Sequence, residues 1–478
     1  MNVKGTLRRL IADAPPASAT ASVLLSIIAV SVALRGFIGL VPTPSGNLAT
    51  WITDVLTVIC GLLVISEMIR RRLEDRSLAY AFGIFAIVGF GYCLLSPESW
   101  SISLIALRNH VLYAVLAVYA SQYLTVRGAR RVESLVRVAG VAIAGVGVAQ
   151  YALRAVLPIW LLKPADADLF GYWGTDIARA NGLVGNTIVY AAYLLLILAL
   201  WWVRVFTTER RQRWVAAFAS VVVAGAVLAT FSRMAIVLAA CLLVGIPLLI
   251  AVRRGRRALL WTAGVLVGGA VVAGLSIAVV PPLRSRVLDS WVVRELFSQG
   301  NASVTESTDL HFEMIRMSLE RFFANPILGI GFGTQTTGSS FSRTNPVITD
   351  GAHWATLAEG GAVLSIVTVG FIGFVFVRLI RVWWHASDLE DAGRAMATAL
   401  YIGAQFGIAG FLNSGFYGKT PFVTLWIVVG CALVAGSTTR VHLDGGATGL
   451  NVERDQDHGL AQLREGEDEH VRSVPAQQ

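Results

Sequence analysis

The chain has 478 residues, 55% of them hydrophobic and only 14% charged, with a formal net charge of +9. So little charge cannot cover the surface of a soluble protein of this length, and the composition is that of a polytopic membrane protein. The positive balance sits in short arginine-bearing connections, and no basic stripe interleaved with aromatics runs through the chain, which argues against nucleic acid as a partner.

Residues 1–19 read as a cytoplasmic N-terminus. Arg8 and Arg9 precede the first apolar run, but that run is long and no small-residue cleavage pattern follows, so it is taken as a span and not as a signal peptide. Apolar windows fall near 20–41, 50–69, 78–95, 108–126, 136–157, 185–203, 214–232, 234–252, 258–280, 352–377, 395–412 and 421–437. Each approaches the roughly 20 residues that a bilayer requires. They predict an all-α polytopic membrane protein of about twelve transmembrane helices, nine within 20–280 and three within 352–438. Residues 281–351 form a large extracytoplasmic loop between helices nine and ten, and the polar, acid-rich tail 439–478 is expected to be disordered in the cytoplasm. Cys60, Cys93, Cys241 and Cys431 all fall in apolar runs, as small core residues do.

Basic residues alternate between connections. Arginine runs at 70–76, 127–137, 204–213, 253–257 and 378–394 lie on one side, whereas the short loops of the other side hold only Arg108, Lys163, Arg179, Arg233 and Lys419. The positive-inside rule then places both termini in the cytoplasm and the 281–351 loop outside.

Several polar groups on the outer side need a reason to be there. Arg233, in Thr230–Ala235, occupies a very tight junction between two apolar runs, where a guanidinium can snorkel to headgroups or clamp an anion bidentately. Arg179, Asn181, Gly182, Gly185 and Asn186 lead into the sixth span, a glycine-and-asparagine turn that can bring backbone close to a ligand at a helix N-terminus. Within the loop, Asp309 to Ala324 has a helical pattern with Phe312, Ile315, Leu319, Phe322 and Phe323 on one face, and His311, Glu313, Arg316, Glu320 and Arg321 among its polar positions. Asn325-Pro326-Ile327-Leu328-Gly329-Ile330-Gly331-Phe332-Gly333 follows. His353 stands where the chain re-enters the membrane, and Glu359 lies inside the span beyond it. Of seven histidines, His110, His311 and His353 fall on the outer side, and no spacing suggests a metal site.

Taken in order, Asn181-Gly182 with Gly185-Asn186, Ser232-Arg233-Met234-Ala235, the loop helix with its Asn-Pro-Ile-Leu-Gly-Ile-Gly sequel, and Ala352-His353-Trp354 leading to Glu359-Gly360-Gly361 resemble the O-antigen ligase and O-antigen polymerase superfamily of bacterial envelope proteins. The likeness covers roughly 180–375 and the general topology. The chain departs from the family in having His353-Trp354 in place of His-Asn, and His311 where the loop helix usually begins with arginine. What the resemblance implies is metal-independent, cofactor-free glycosyl transfer at the outer face of the bacterial inner membrane. The donor is a glycan on undecaprenyl diphosphate; the acceptor is a hydroxyl on a lipid A–core-like molecule or, in a polymerase, on another lipid-linked unit. On that reading His353 is the general base, Arg233 and Arg316 stabilise the leaving diphosphate, and Arg179, Asn181, Asn186, His311 and Glu359 contact substrate. A secondary transporter of a small anion is the rival from another class, with a non-enzymatic scaffold in envelope assembly a third.

The topology has a direct check. In a background without the native cysteines, Ser340→Cys is expected to react with an impermeant maleimide from the outside, and Ser387→Cys only after permeabilisation. The reverse labelling pattern would overturn the orientation.

Overall fold

Most connections between the apolar segments of this chain are short, which favours neighbours in sequence folding back on each other. The computed structural model describes residues 16–35, 48–70, 73, 75–97, 99–158, 179–184, 186–279, 302–335, 351–413 and 415–434. The helices are α1 (Pro16–Ala33), α2 (Leu48–Ile69), α3 (Arg76–Leu95), α4 (Trp100–His110), α5 (Val115–Tyr123), α6 (Val126–Ala152), α7 (Thr187–Thr207), α8 (Arg210–Ala229), α9 (Arg233–Arg254), α10 (Arg256–Val279), α11 (Ala302–Ala324), α12 (Ala352–His385), α13 (Leu389–Ile402) and α14 (Lys419–Val434). No strand occurs among the described residues. Among the described residues, eight helices are long and apolar enough to cross a membrane, counting α4 and α5 with the 3-10 turn between them as one. The N-terminal segment 1–15, the loop residues 280–301 and 336–350, and the tail from 435 lie outside the described residues.

The expected windows recur as helices with shifted ends. The helix expected from 108 begins at Trp100, and that expected from 136 begins at Val126. Arg127, Arg130 and Arg131 are therefore in the first turns of α6 and not in a loop. Likewise α12 runs past its apolar window to His385. In α6 and α12 the reason is charge pairing: the extra turns carry ion pairs that let a helix continue beyond its apolar stretch.

Two helices form the centre. α7 is buried from Tyr190 to Leu200 and packs on α6, α8, α9 and α13, and α14 is buried from Phe422 to Val434. Helices apolar on every side belong in the middle of a bundle. α2, α3, α8 and α10 instead present large apolar side chains outward, among them Ile87, Phe218 and Trp261, as lipid-facing helices do. Three cysteines are buried, but Cys241 is exposed, which corrects its reading as a core residue.

One end of the bundle is tied by ion pairs. Arg394, buried, pairs with Glu133 and, at 3.2 Å, with Asp391; Arg137 approaches Glu133 at 3.4 Å. Arg130 reaches Asp388 at 2.6 Å and Asp391 at 2.9 Å, and Arg204 pairs with Glu390. Arg253 donates to the carbonyls of Trp383 and Ala386. Arg378 donates to both Asp75 oxygens, at 3.0 and 2.5 Å. Burial alone would raise the Asp75 carboxyl, but Arg378, together with hydrogen bonds from Ser77 and the Leu78 amide, outweighs it and holds the group below its ordinary value. Its stabilisation is therefore complete above the ordinary carboxylate pKa and is lost as pH falls through the lowered one. These arginines thus connect α3, α6, α7, α9, α12 and α13.

Removing one member of the buried set leaves the others uncompensated. Glu133→Ala is expected to cost about 3–5 kcal/mol, read as a lowered unfolding midpoint of the purified protein in detergent. An unchanged midpoint would show that Arg137 and Arg394 do not depend on it.

Candidate functional site

The opposite end of the bundle holds the residues singled out from the sequence. α12 starts there, its first N–H (Ala352) donating to the Asn413 carbonyl at 3.2 Å. His353, the second residue, lies against the rings of Phe406 and Phe411, both with centroids 4.5 Å away. Its Nε2 is 2.5 Å from the Phe406 carbonyl oxygen. A carbonyl only accepts, so Nε2 carries the hydrogen and Nδ1 is left with the lone pair. The acceptor belongs to a π-helical turn, Gly403–Ile408, that continues α13; such turns take main-chain groups off the regular ladder and recur at functional sites. Gly410 completes the seat, since a Cβ there would stand 2.6 Å from His353 Nε2. Trp354 Nε1 donates to the Phe411 carbonyl at 2.9 Å.

Further along, α12 is broken at Gly361 (φ 59°, ψ −158°). The loop segment after α11 fills the break with main-chain hydrogen bonds: Ile330 N to Ala358 O at 2.9 Å, Gly331 N to Glu359 O at 3.2 Å, and Ala362 N to Pro326 O at 2.8 Å. Tyr92 Oη donates to Gly360 O at 2.6 Å. Approach is so close that a Cβ on Gly329 would overlap the Glu359 carbonyl, and one on Gly361 the Ile327 carbonyl. The two glycine-bearing motifs, loose when read apart, are halves of one joint.

Glu359 lies at its centre, fully buried. Its Oε1 accepts from Gln335 N at 2.7 Å, and its Oε2 is 3.7 Å from His110 Nε2. The His110 ring lies beside Tyr417 (4.4 Å) and Phe332 (5.6 Å). Arg321 Nη1 donates to Gln335 Oε1 at 2.5 Å. A polar chain thus runs from α11 through Gln335 and Glu359 to α4. Burial pulls the Arg321 guanidinium below its ordinary value, while leaving it charged near neutrality.

The phase of α11 differs from expectation. Phe312 and Phe323 are exposed, and Ser318 and the partly covered Ile315, Leu319, Arg321 and Phe322 turn inward. Docking of 326–335 into α12 fixes this rotation. Arg316 is consequently 76% exposed and pairs with Glu320 at 3.0 Å. His311 lies on α11, but its side chain is outside those described, which begin at Phe312.

Arg233 opens α9, four residues after α8 ends, with Ser232 as N-cap and Phe231 in the left-handed region at φ 55°. Its side chain is exposed. Ala180 N donates to Ala229 O at 3.0 Å, which sets the Arg179 segment against this junction. Arg154 joins them: its guanidinium lies 4.6 Å over the Tyr151 ring, which is 5.5 Å from Phe231. An apolar window through 157 hid Arg154, but α6 ends at Ala152. The turn itself is held by Gln150. Its Oε1 accepts from Asn181 N (3.2 Å) and Gly182 N (2.9 Å), and its Nε2 donates to Asn181 Oδ1 at 3.1 Å. Asn181 is buried, and Asn186 Oδ1 caps α7 by accepting from Ile188 N at 2.7 Å. Both asparagines shape the turn. α9 packs on α13 and on the π-helical turn that seats His353.

His353, Glu359, Arg233 and Arg179 therefore share one end of the bundle, whereas Arg316 makes its contact on the outer side of α11. His110, Gln335, Arg321, Tyr417 and Arg154 were not nominated from the sequence as members of the site; His110 carried a signal there as an outer-side histidine, and Arg321 as a polar position of the loop helix. No protein-family model matches the chain, and no curated protein sequence matches it.

The joint is testable. Gly361→Ala combines a left-handed φ with an occupied neighbourhood, at a cost on the order of 1–3 kcal/mol. Faster tryptic cleavage at Arg321 and a lower unfolding midpoint are expected, whereas Gly370→Ala, with open space around it, should leave both unchanged. Identical behaviour of the two variants would sink the docking.

Proposed function

We propose that the chain is a membrane glycosyltransferase of the O-antigen ligase type, with about twelve spans, both termini in the cytoplasm and residues 281–351 as its extracytoplasmic loop in a bacterial inner membrane. It moves a glycan from undecaprenyl diphosphate to an acceptor hydroxyl. The observation that carries the reading is the seat of His353: Nε2 is held by the Phe406 carbonyl, so Nδ1 keeps its lone pair, at the end of the bundle where Arg233 is exposed.

The acceptor oxygen attacks the anomeric carbon and forms the new C–O bond. The bond from that carbon to the diphosphate oxygen breaks, and its electron pair leaves with the diphosphate. Nδ1 takes the hydroxyl proton, giving an imidazolium whose Nε2–H stays on the Phe406 carbonyl. General-base assistance of this kind is worth about 10²–10⁴-fold. Guanidinium groups meet the charge gathering on the leaving group: in this reading Arg233 and Arg179 take that role, and Arg316 joins them by exchanging its exposed pairing with Glu320 for phosphate oxygens. Displacement on one face inverts the anomeric centre. Glu359 acts on substrate through the loop it anchors.

His353→Ala is expected to reduce transfer at least 100-fold, and Arg233→Ala by a comparable factor, with each protein still eluting as a folded species. Deleting the gene and resolving surface glycan on a gel separates the two acceptors. Free lipid-linked polymer with an uncapped acceptor indicates a ligase, and loss of everything beyond one unit indicates a polymerase. Unchanged glycan would overturn both.

A further inference from the structure

The segment that follows α11 lies deeper than its place in a polar loop would suggest. α3 and α12 pack together and are tied at two levels. At one level Arg378 donates to Asp75 at 2.5 Å; at the other Tyr92 Oη donates to Gly360 O at 2.6 Å. Between these levels neither helix carries a charge, over 77–91 or over 361–377. At a rise of about 1.5 Å per residue the levels stand about 26 Å apart along either helix. The hydrocarbon core of a bilayer is about 30 Å thick. An ion pair at one boundary, or beyond it, therefore leaves the Gly360 level inside the other boundary, and any tilt carries it deeper.

Ile327 sits further in. Its carbonyl accepts from Val363 N at 3.4 Å, nearly a turn past Gly360 towards Arg378. The backbone here is irregular, but α12 takes up its polar groups, and Gly329 N closes onto Asn325 O at 2.8 Å; irregular backbone at membrane depth requires such partners. The side chains face the other way. Ile327 is 66% exposed, Leu328 55%, and Phe323, one turn earlier, 72%. No charged residue occurs from 322 to 335. Val363 is exposed beside them, as are Ile366 and Val369 on the next turns of α12. The apolar surface of a span therefore continues onto the loop segment without a polar break.

We propose that residues 323–331 are a re-entrant element, seated by its backbone on α12 and turning Phe323, Ile327 and Leu328 into the acyl chains of the leaflet at the His353 end. Lipid is the occupant that fits an uncharged apolar surface at this depth, continuous with the face a span gives to the bilayer. The element is held on two sides, by main-chain bonds to α12 and by the hydrocarbon. The inference does not rest on the transferase reading, and its test reads immersion alone.

The full-length protein without its native cysteines is reconstituted in phosphatidylcholine–phosphatidylglycerol vesicles with a nitroxide on Ile327→Cys or Leu328→Cys. Collisions with oxygen, which partitions into hydrocarbon, are compared with collisions with a water-soluble nickel chelate. Ile366→Cys serves as the lipid-facing reference and Glu320→Cys as the aqueous one. Labels at 327 and 328 are expected to follow Ile366→Cys, with oxygen favoured severalfold over nickel relative to Glu320→Cys. A benzophenone attached to Leu328→Cys, the second measurement, is expected to yield a phospholipid adduct on irradiation. Nickel access equal to that at Glu320→Cys would show a water-filled surface. Low access to both reagents, with benzophenone adducts to protein alone, would show a covering segment or a second copy of the chain. Either result would overturn the proposal.

Discussion

In a hydrocarbon environment a broken helix must find partners for its freed main-chain groups, and the break in α12 finds them in the loop. Gly361 interrupts the ladder, and the backbone of 326–331 replaces the missing bonds. Much of this end of the molecule follows from that substitution. It rotates α11 so that Arg321 turns inward and Arg316 outward. It also brings Gln335 onto Glu359, and Glu359 towards His110. A continuous helix at 352–385 would offer the loop no such anchor.

The seat of His353 rests on a similar irregularity. The π-helical turn 403–408 presents the Phe406 carbonyl to the imidazole, and Gly410 leaves room for the ring. Both irregularities use main-chain atoms to orient a polar side chain, so substitution of the neighbouring side chains alone would not reproduce either. The two ends of the bundle divide the polar work accordingly. One relies on side-chain ion pairs between helix termini, and the other adds to its ion pairs the glycine-permitted contacts of backbone with backbone.

The helical class was legible because the apolar windows are long, and helix ends were less so because they depend on partners far away in sequence. Arg130 reads as an orienting loop charge until Asp388 and Asp391 are seen beside it. The motif around Gly329 reads as a sequel to the loop helix and that around Gly361 as part of a span, since a single sequence does not reveal that the two approach each other backbone to backbone. Arg154 was concealed by averaging over an apolar window, and Asn181 advertised an open turn although its amide is sealed against Gln150. His353 was legible by position, at the junction of a polar loop and a span, but its tautomer required the carbonyl opposite.

Four of the polar pairs share one further property: their partners are made far apart in time. Asp54 meets Lys419, Asp75 meets Arg378, His110 meets Glu359, and Glu133 meets Arg394. Each joins a residue from the first third of the chain to one from its last third. As a ribosome delivers the helices in order, the early acidic and imidazole groups enter the bilayer long before their counterparts exist. The N-terminal half therefore cannot reach its final packing during synthesis, and the closing helices act as the keystone of assembly. A chain that stops short of α12 leaves Asp75, His110 and Glu133 without these partners in lipid, a recognisable mark for membrane quality control.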